Sequence, residues 1–293
     1  MNQFLFSYEK WLDSRIQNRA VFDSEVDQCC RYNYAKKLGI ICVVMERYNI
    51  SFDSNFGMIE TCLILAVLSS SVEVSLMLIE KFNDDLIMWS LQKMEKYRGL
   101  SVLHAAVANG HEDIIRAILH KIDKDKHHSL LHAHITGSYY LKKMDVSSLA
   151  LSLACWAGNT GVIELLIMYG AELDAKDYKE GNTLFHTLCK KGKENAEEAK
   201  ETFEWILTSQ ATKVWYCLKK GRELKNWVAS DENEMRTYLL LIENADGFTP
   251  LTLAGKIGAY EMVQYILNIE YVYRFTMWKF GPQSVRFICD GRS

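Results

Sequence analysis

Short apolar runs recur in pairs along this chain, with polar residues between the members of each pair. In the clearest case, an apolar run around Leu251 is followed by Gly258 and by a second apolar run that starts at Met262. The second run has apolar residues at i, i+1, i+4 and i+5, which is the spacing of one helix face. Two further runs share this spacing: Ile114, Ile115, Ile118 and Leu119, and Val162, Ile163, Leu166 and Ile167. The pattern predicts pairs of short helices joined by tight turns.

The start of each pair carries a related motif. Thr249-Pro250-Leu251-Thr252-Leu253-Ala254 resembles the Thr-Pro-Leu-His-x-Ala start of an ankyrin repeat, in which a turn leads into the first of two helices. A second clear copy spans Ser101–Ala106, and the weaker copies begin at Thr61, Leu149, Thr183 and Cys30. One helix pair cannot bury both of its faces, so neighbouring pairs must stack. We therefore predict an all-α ankyrin-repeat solenoid of about six helix pairs.

A glycine four residues after the motif alanine supports this alignment, because glycine tolerates the left-handed backbone of a tight turn. In the copy that starts at Thr61, Ser70 takes this position. Two histidines occupy the histidine position of the motif, where we expect structural hydrogen bonds within and between repeats. The residues assigned to the repeat signature are His104, His186, Thr249, Pro250, Gly39, Gly110, Gly158, Gly192 and Gly258.

The steps between successive copies are uneven. Two steps are close to the ankyrin period of about 33 residues, and three are longer. The longer steps predict long finger loops, the hairpins that lead from the second helix of one repeat to the first helix of the next. The longest step runs from Phe185 to Leu251 and contains Trp215, Tyr216 and Trp227. It holds either an insertion or an additional repeat that lacks the usual motif.

The charge, the cysteine spacing and the missing catalytic motifs of the chain exclude several classes of function. The chain of 293 residues is 49% hydrophobic with a formal net charge of -3, so it has no basic excess to favour nucleic acid. Its eight cysteines form no Cys-x-x-Cys spacing, which favours buried thiols in a reducing compartment over disulfides or zinc ligands. Redox-sensitive thiols, which need exposure and a lowered pKa, are the alternative. No catalytic or phosphate-binding motif occurs, so we predict no enzyme activity and no cofactor. The chain has no signal peptide and no uninterrupted apolar run of about 18 to 20 residues, which predicts a cytosolic polypeptide.

The order of several segments carries a more specific resemblance. Thr61-Cys62-Leu63, Leu151–Cys155 and Gly181–Leu188 begin three of the repeats, and Trp278–Val285 follows the last one. Together they resemble the cytosolic N-terminal region of vanilloid-type transient receptor potential (TRPV) cation channels. The aromatic-Gly-Pro segment Trp278–Val285 is the most discriminating of the four. β-prone runs on both sides of it predict a hairpin.

The resemblance implies a domain arrangement and a function. We expect a capping segment at 1–29, an ankyrin-repeat domain at 30–269, and a linker with a β-hairpin at 270–293 that leads toward a membrane domain absent from this chain. The resemblance also implies a calcium-permeable channel in the plasma membrane. On the cytoplasmic side of that membrane, this region would mediate subunit assembly in a homo- or hetero-tetramer and bind regulatory proteins. The alternative is a soluble ankyrin-repeat adaptor that binds proteins without a channel.

Several residues are candidates for binding. Aromatic side chains in the finger after the third repeat and in the linker are candidate subunit or partner contacts, with burial in the core as the alternative; these are Tyr139, Tyr140, Tyr271, Tyr273, Trp278 and Phe280. Family members that bind ATP have two lysines where this chain has Glu60 and Leu65, so we do not expect the nucleotide site. We interpret the histidines in the finger after the third repeat as part of a solvated loop and not as metal ligands, because no cysteine or carboxylate completes a recognisable ligand spacing. These histidines are His127, His128, His132 and His134.

Overall fold

The structure is a computed structural model that describes residues 59–82, 84–88, 90, 98–137, 149–280 and 283–288. It divides into two compact units, with the boundary between Leu130 and Leu131. The predicted capping segment, the motif copy at Cys30 with Gly39, and the finger residues Tyr139 and Tyr140 lie outside the described residues.

Two helix pairs dominate the described part of the first unit. Helix α1 packs against α2 and α4, and α5 packs against both α2 and α4. Ser70, between α1 and α2, has a φ of 55°, so a serine adopts the left-handed conformation that Gly110 adopts between α4 and α5. The helices of this unit are α1 (Ile59–Leu68), α2 (Val72–Lys81), α3 (Asp84–Met88), α4 (Val102–Ala108), α5 (Glu112–Lys121) and α6 (Lys124–Leu131).

The second unit contains three helix pairs with the same order of elements. Helix α7 packs against α8 and α9, and α9 packs against α10 and α13. Phe185 and Phe203 pack with ring centroids 4.8 Å apart inside this unit. Its helices are α7 (Ala150–Ala157), α8 (Thr160–Met168), α9 (Leu184–Gly192), α10 (Ala196–Thr208), α11 (Gln210–Lys220), α12 (Ala229–Leu240), α13 (Pro250–Ile257) and α14 (Tyr260–Leu267).

Helix α13 shows why the motif starts a helix. Thr249 is the N-cap, and its hydroxyl accepts a hydrogen bond from the backbone N–H of Thr252. Pro250 occupies the first helical position, where the missing N–H has no helical partner to lose. The helix ends at Gly258, whose φ of 78° is left-handed. These contacts give this pair a capped helix start and a left-handed glycine stop.

Gly192 departs from the predicted turn glycine. It is the last residue of α9, and the C-cap Lys193 also has helical dihedral angles. Helix α9 therefore continues through the position where α7 and α13 end at left-handed glycines. The reason for glycine here is packing, because a Cβ at position 192 would lie 2.2 Å from Cγ of Met262.

The longest step contains an insertion, not an additional repeat. Residues after α10 form α11, a 3-10 turn at Leu224–Asn226 and α12. Helix α9 packs directly against α13, which leaves no place for a further repeat between them. Helix α11 instead packs against α8 and α10, the second helices of two earlier pairs.

Two strands follow the last helix pair. Strand β1 (Arg274–Phe280) pairs antiparallel with β2 (Gln283–Ile288), with Arg274 opposite Ile288 and Phe280 opposite Gln283. The register shifts between Thr276 and Trp278. In the ranges that the structure describes, no helix has the length and apolar character needed to cross a membrane.

Candidate protein-binding surface

The motif histidines occupy structural positions at helix starts. Nδ1 of His186 accepts a hydrogen bond from the backbone N–H of Thr183 at 3.1 Å, and Nε2–H donates to the carbonyl of Phe248 at 2.8 Å. His186 thus links its own repeat to the next one. Burial lowers the pKa of His186 to about 4, against the opposing effect of the Phe248 carbonyl. His104 is likewise buried, with Nδ1 2.7 Å from the hydroxyl of Ser101.

The finger between α8 and α9 is a tightly hydrogen-bonded turn. Oδ1 of Asp177 accepts hydrogen bonds from the backbone N–H groups of Lys179, Glu180 and Gly181 at 2.9, 2.7 and 3.1 Å. The backbone N–H of Asp177 donates to the carbonyl of Asn182 at 2.9 Å. The turn leaves Tyr178 at its tip with 64% of the side chain exposed.

This finger is joined to the next one, between α12 and α13. The side-chain amide of Asn244 donates to Oδ1 of Asn182 at 2.9 Å, and the backbone N–H of Ala245 donates to the carbonyl of Glu180 at 2.9 Å. Gly181 has a φ of 65°, and a Cβ there would lie 2.8 Å from the nitrogen of Ala245. The two fingers therefore form one fixed edge, which we call the finger edge (residues 176–182 and 243–248).

The charges on the finger edge are paired locally. Lys190 contacts Glu180 at 2.8 Å, and this ion pair holds the pKa of Glu180 below its usual value against the effect of burial. Lys176 donates to the carbonyl of Glu243 at 2.7 Å. Such an edge can offer backbone groups and exposed side chains to a protein partner, and it provides no concentrated charge for a phosphate.

The insertion forms an aromatic cluster that the motif analysis did not anticipate. Tyr216 is buried against Trp215, Trp227 and Tyr238, and its hydroxyl donates to Glu234 at 2.9 Å. The hydroxyl of Tyr238 donates to Asp174 at 2.6 Å, and Lys219 also binds Asp174. Asp174 follows α8, so one carboxylate ties the insertion to the preceding repeat.

A surface cavity of about 390 Å³ lies beside this cluster, lined among others by Cys217, Arg222, Trp227 and Asp231. Arg222 is already paired with Asp231 at 2.8 Å, so the cavity has no uncompensated cation for an anionic ligand. Burial and Asp231 raise the pKa of the Cys217 thiol, opposed by Arg222.

Three described cysteines match the prediction of buried thiols. Cys155, Cys189 and Cys217 are free and buried. Burial raises the pKa of Cys155 to about 12 and raises that of Cys189 as well. A thiol is reactive as its thiolate, so these three side chains have low reactivity at neutral pH.

The candidate linker residues differ in their positions. Tyr271 is 50% exposed and has a φ of 66°, whereas Tyr273 is buried and its hydroxyl donates to the carbonyl of Leu240 at 3.1 Å. Of this pair, Tyr271 alone offers its ring to a partner. Trp278 and Phe280 lie on β1, opposite Val285 and Gln283.

The nucleotide and metal candidates gain no support from the described residues. Glu60 and Leu65 lie on α1, and Leu65 is half-buried. In the described ranges, no three His, Cys, Asp or Glu side chains are grouped as metal ligands. His127 lies 2.8 Å from the carbonyl of Leu119, and His132 accepts a hydrogen bond from the backbone of Glu172.

Comparison with known proteins agrees with this architecture. Residues 98–128 and 149–178 match the sequence model of the ankyrin repeat family, and they contain α4, α5, α7 and α8. The chain is 29% identical over 133 residues to transient receptor potential cation channel subfamily V member 5 of Mus musculus, and the match covers 45% of this chain and 14% of the relative. Subfamily V member 6 of Rattus norvegicus gives the same identity and coverage.

The chain therefore spans only about one seventh of the length of these relatives. Both relatives are named as cation channels. Taken with the helix pairs and the linked fingers, the comparisons support an ankyrin-repeat architecture with similarity to part of these TRPV channels.

Proposed function

We propose that this chain is the cytoplasmic ankyrin-repeat region of a TRPV-like calcium-permeable cation channel, where it mediates subunit assembly and binds regulatory proteins. It acts without catalysis and without a bound cofactor. The observation that carries the proposal is the sequence similarity to two subfamily V channels. The ankyrin repeats matched in the same chain agree with it.

The domain arrangement follows from this proposal. Residues 1–29 cap the repeats, residues 30–269 form the repeat domain, and residues 270–293 form the linker. The linker meets the last repeat at Tyr271 and Tyr273 and continues into the antiparallel strands β1 and β2. A two-stranded sheet is marginally stable by itself, so it gains from packing against another surface. We infer that this surface belongs to a neighbouring subunit beneath the plasma membrane.

The assembly role is tested by self-association of the whole chain. The oligomeric states of the full chain and of a variant that ends at Tyr273 are compared by sedimentation velocity and chemical cross-linking over a wide range of protein concentrations. This end point keeps the hydrogen bond of Tyr273 to Leu240 and removes both strands. We expect reversible oligomers for the full chain and a monomer for the shortened one.

A second variant keeps the whole linker and changes only Tyr271, the exposed candidate contact residue. Tyr271→Ser is expected to weaken self-association without removing the strands, and circular dichroism establishes that each variant remains folded. A full chain that stays monomeric at every concentration would count against assembly. Sequencing the transcript beyond the codon for Ser293 is an independent test, and we expect it to encode a membrane domain.

The alternative is a soluble adaptor, and the observation that favours it is the finger edge. This edge is complete within one chain, because its hydrogen bonds join Glu180 to Ala245 and Asn182 to Asn244 without a second subunit. A stable monomer that captures a protein ligand through this edge, and loses it on Tyr178→Ser, would support the adaptor.

A further inference from the structure

The insertion after α10 contains a surface cavity of about 390 Å³, which we call the insertion cavity. Its lining comes from the insertion itself, between Cys217 near the end of α11 and Asp231 near the start of α12. The volume lies within the range of roughly 300–1,000 Å³ that is usual for ligand pockets. The insertion cavity is therefore large enough to accept a bulky side chain or a small molecule.

Local hydrogen bonds fix the walls of the insertion cavity. At the end of α11, Gly221 has a φ of 64°, and the backbone N–H of Arg222 donates to the carbonyl of Cys217 at 2.8 Å. At the start of α12, the backbone N–H of Val228 donates to Oδ2 of Asp231 at 2.9 Å. Arg222 then joins the two helices, because its guanidinium contacts Asp231. These contacts preorganise the cavity, which lowers the entropic cost of binding.

The charged groups around the insertion cavity already form ion pairs with one another. Besides Asp231, Arg222 contacts Glu234 at 2.9 Å. Glu223 contacts Lys225 at 2.7 Å. A charged ligand would have to give up its hydration and compete with these pairs, whereas a neutral ligand avoids both costs. The cavity therefore favours an uncharged group.

Trp227 gives the insertion cavity an aromatic wall. Its ring meets that of Tyr216 edge-on, with centroids 6.3 Å apart. Nζ of Lys213 lies 5.9 Å from the centroid of the Trp227 ring, so a cationic ligand at this ring would meet a like charge. Val228 is 54% exposed, and burial raises the pKa of the Cys217 thiol, which keeps it neutral. Because aromatic rings pair favourably at centroid distances of about 4.5–7 Å, this wall suits a second aromatic ring.

We propose that the insertion cavity binds a neutral aromatic side chain of a protein partner. The proposal goes beyond the assembly role, because the cavity belongs neither to the finger edge nor to the linker. It applies to a channel region and to a soluble adaptor alike. Tryptophan has the largest neutral aromatic side chain, so its uncharged analogue is the probe of choice.

Titration of the full chain with N-acetyl-tryptophanamide, followed by NMR, tests this proposal. The readout is the indole N–H signal of Trp227, assigned as the one of seven tryptophan signals that Trp227→Phe removes. We expect a saturable shift with a Kd of about 1 mM, which is reasonable for a single side chain. The charged analogues indole-3-acetate and tryptamine, and the aliphatic N-acetyl-leucinamide, are expected to bind at least about fivefold more weakly.

Two exposed valines provide a matched pair of variants. Val228 lines the insertion cavity, whereas Val214 is 38% exposed on α11 away from the lining residues. Val228→Ser removes an apolar group from the wall and keeps the backbone N–H that donates to Asp231. It is expected to weaken binding of N-acetyl-tryptophanamide by about three- to fivefold, while Val214→Ser leaves the binding unchanged. Thermal melting followed by circular dichroism establishes that both variants fold.

A Trp227 signal that does not move at concentrations of the neutral probe up to about 10 mM would overturn the proposal. Equal binding of a charged or aliphatic analogue would do so as well, as would an equal effect of the two valine substitutions. The titration uses the chain by itself, so it is independent of self-association. A monomeric chain that binds the neutral probe in this way would refute the assembly role and leave the aromatic site established.

Discussion

Replacing Gly192 with alanine separates two physical roles that a glycine can have between the helices of a repeat. A left-handed turn would disfavour alanine through the backbone, whatever its neighbours. Gly192 is instead the last residue of α9, and a Cβ there would lie 2.2 Å from Cγ and 2.7 Å from Sδ of Met262. Met262 is fully buried, so its side chain has little room to move away.

The expected magnitude follows from two opposing effects. Overpacking a buried site costs about 1–3 kcal/mol, and alanine in a helix is favoured over glycine by roughly 0.5–1 kcal/mol. We therefore expect Gly192→Ala to lower the free energy of unfolding by about 1–2 kcal/mol. In a Met262→Ala background the clash is absent, so the same change is expected to raise the free energy of unfolding by up to about 1 kcal/mol.

Urea denaturation followed by circular dichroism measures all four proteins of this double-mutant cycle. The matched control is Gly258→Ala, because Gly258 has a φ of 78° and open space around the missing Cβ. It is expected to destabilise by about 1–2 kcal/mol in both backgrounds. If Gly192→Ala is equally destabilising with and without Met262, the backbone and not the contact explains this glycine.

Three further predictions concern the hydrogen bonds. His186→Gln keeps a capping residue that does not titrate. Because the pKa of His186 is about 4, the variant should lose less free energy of unfolding between pH 7.5 and 5 than the unmodified chain, by about 2 kcal/mol. Urea denaturation at both pH values measures this difference, and the control His120→Gln should behave like the unmodified chain. Asp177→Ala should increase hydrogen–deuterium exchange of the backbone amides of residues 179–181, while Asp177→Asn keeps part of the protection because its side-chain oxygen still accepts these hydrogen bonds. Tyr273→Phe should lower the thermal stability by the equivalent of about 1 kcal/mol, whereas Tyr271→Phe should have little effect.

The local features of the fold were predictable from the sequence because they depend on neighbouring residues. The capping of α13 involves Thr249 and Thr252, three positions apart, and the turns at Gly110, Gly158 and Gly258 need a left-handed backbone at one residue. The motif identifies both. At Ser70 the turn survives without glycine, because a single left-handed residue costs only about 1–2 kcal/mol.

Features set by distant partners were not predictable in the same way. The role of Gly192 depends on Met262, which lies 70 positions further along the chain and is brought close by the packing of α13 and α14 on the preceding pair. From the spacing alone, Gly192 is indistinguishable from Gly158. Its helical conformation also depends on α9 running one residue further than α7, which no residue type in the motif specifies.

The insertion shows the same limit for the candidate binding surface. Its aromatic residues are visible in the sequence, yet their burial follows from Asp174, which binds Lys219 and Tyr238 from 45 and 64 positions away. A carboxylate that accepts from both an ammonium group and a phenol fixes α11 and α12 against the loop after α8, and this contact removes Tyr216 and Trp215 from solvent. The position of one acidic residue therefore determines that most of these rings stabilise the chain itself. Among the described residues, the exposed rings include Tyr178 on a finger tip, Tyr260 at the start of α14 and Tyr271 at the start of the linker, and a partner can reach these aromatic side chains without unfolding a repeat.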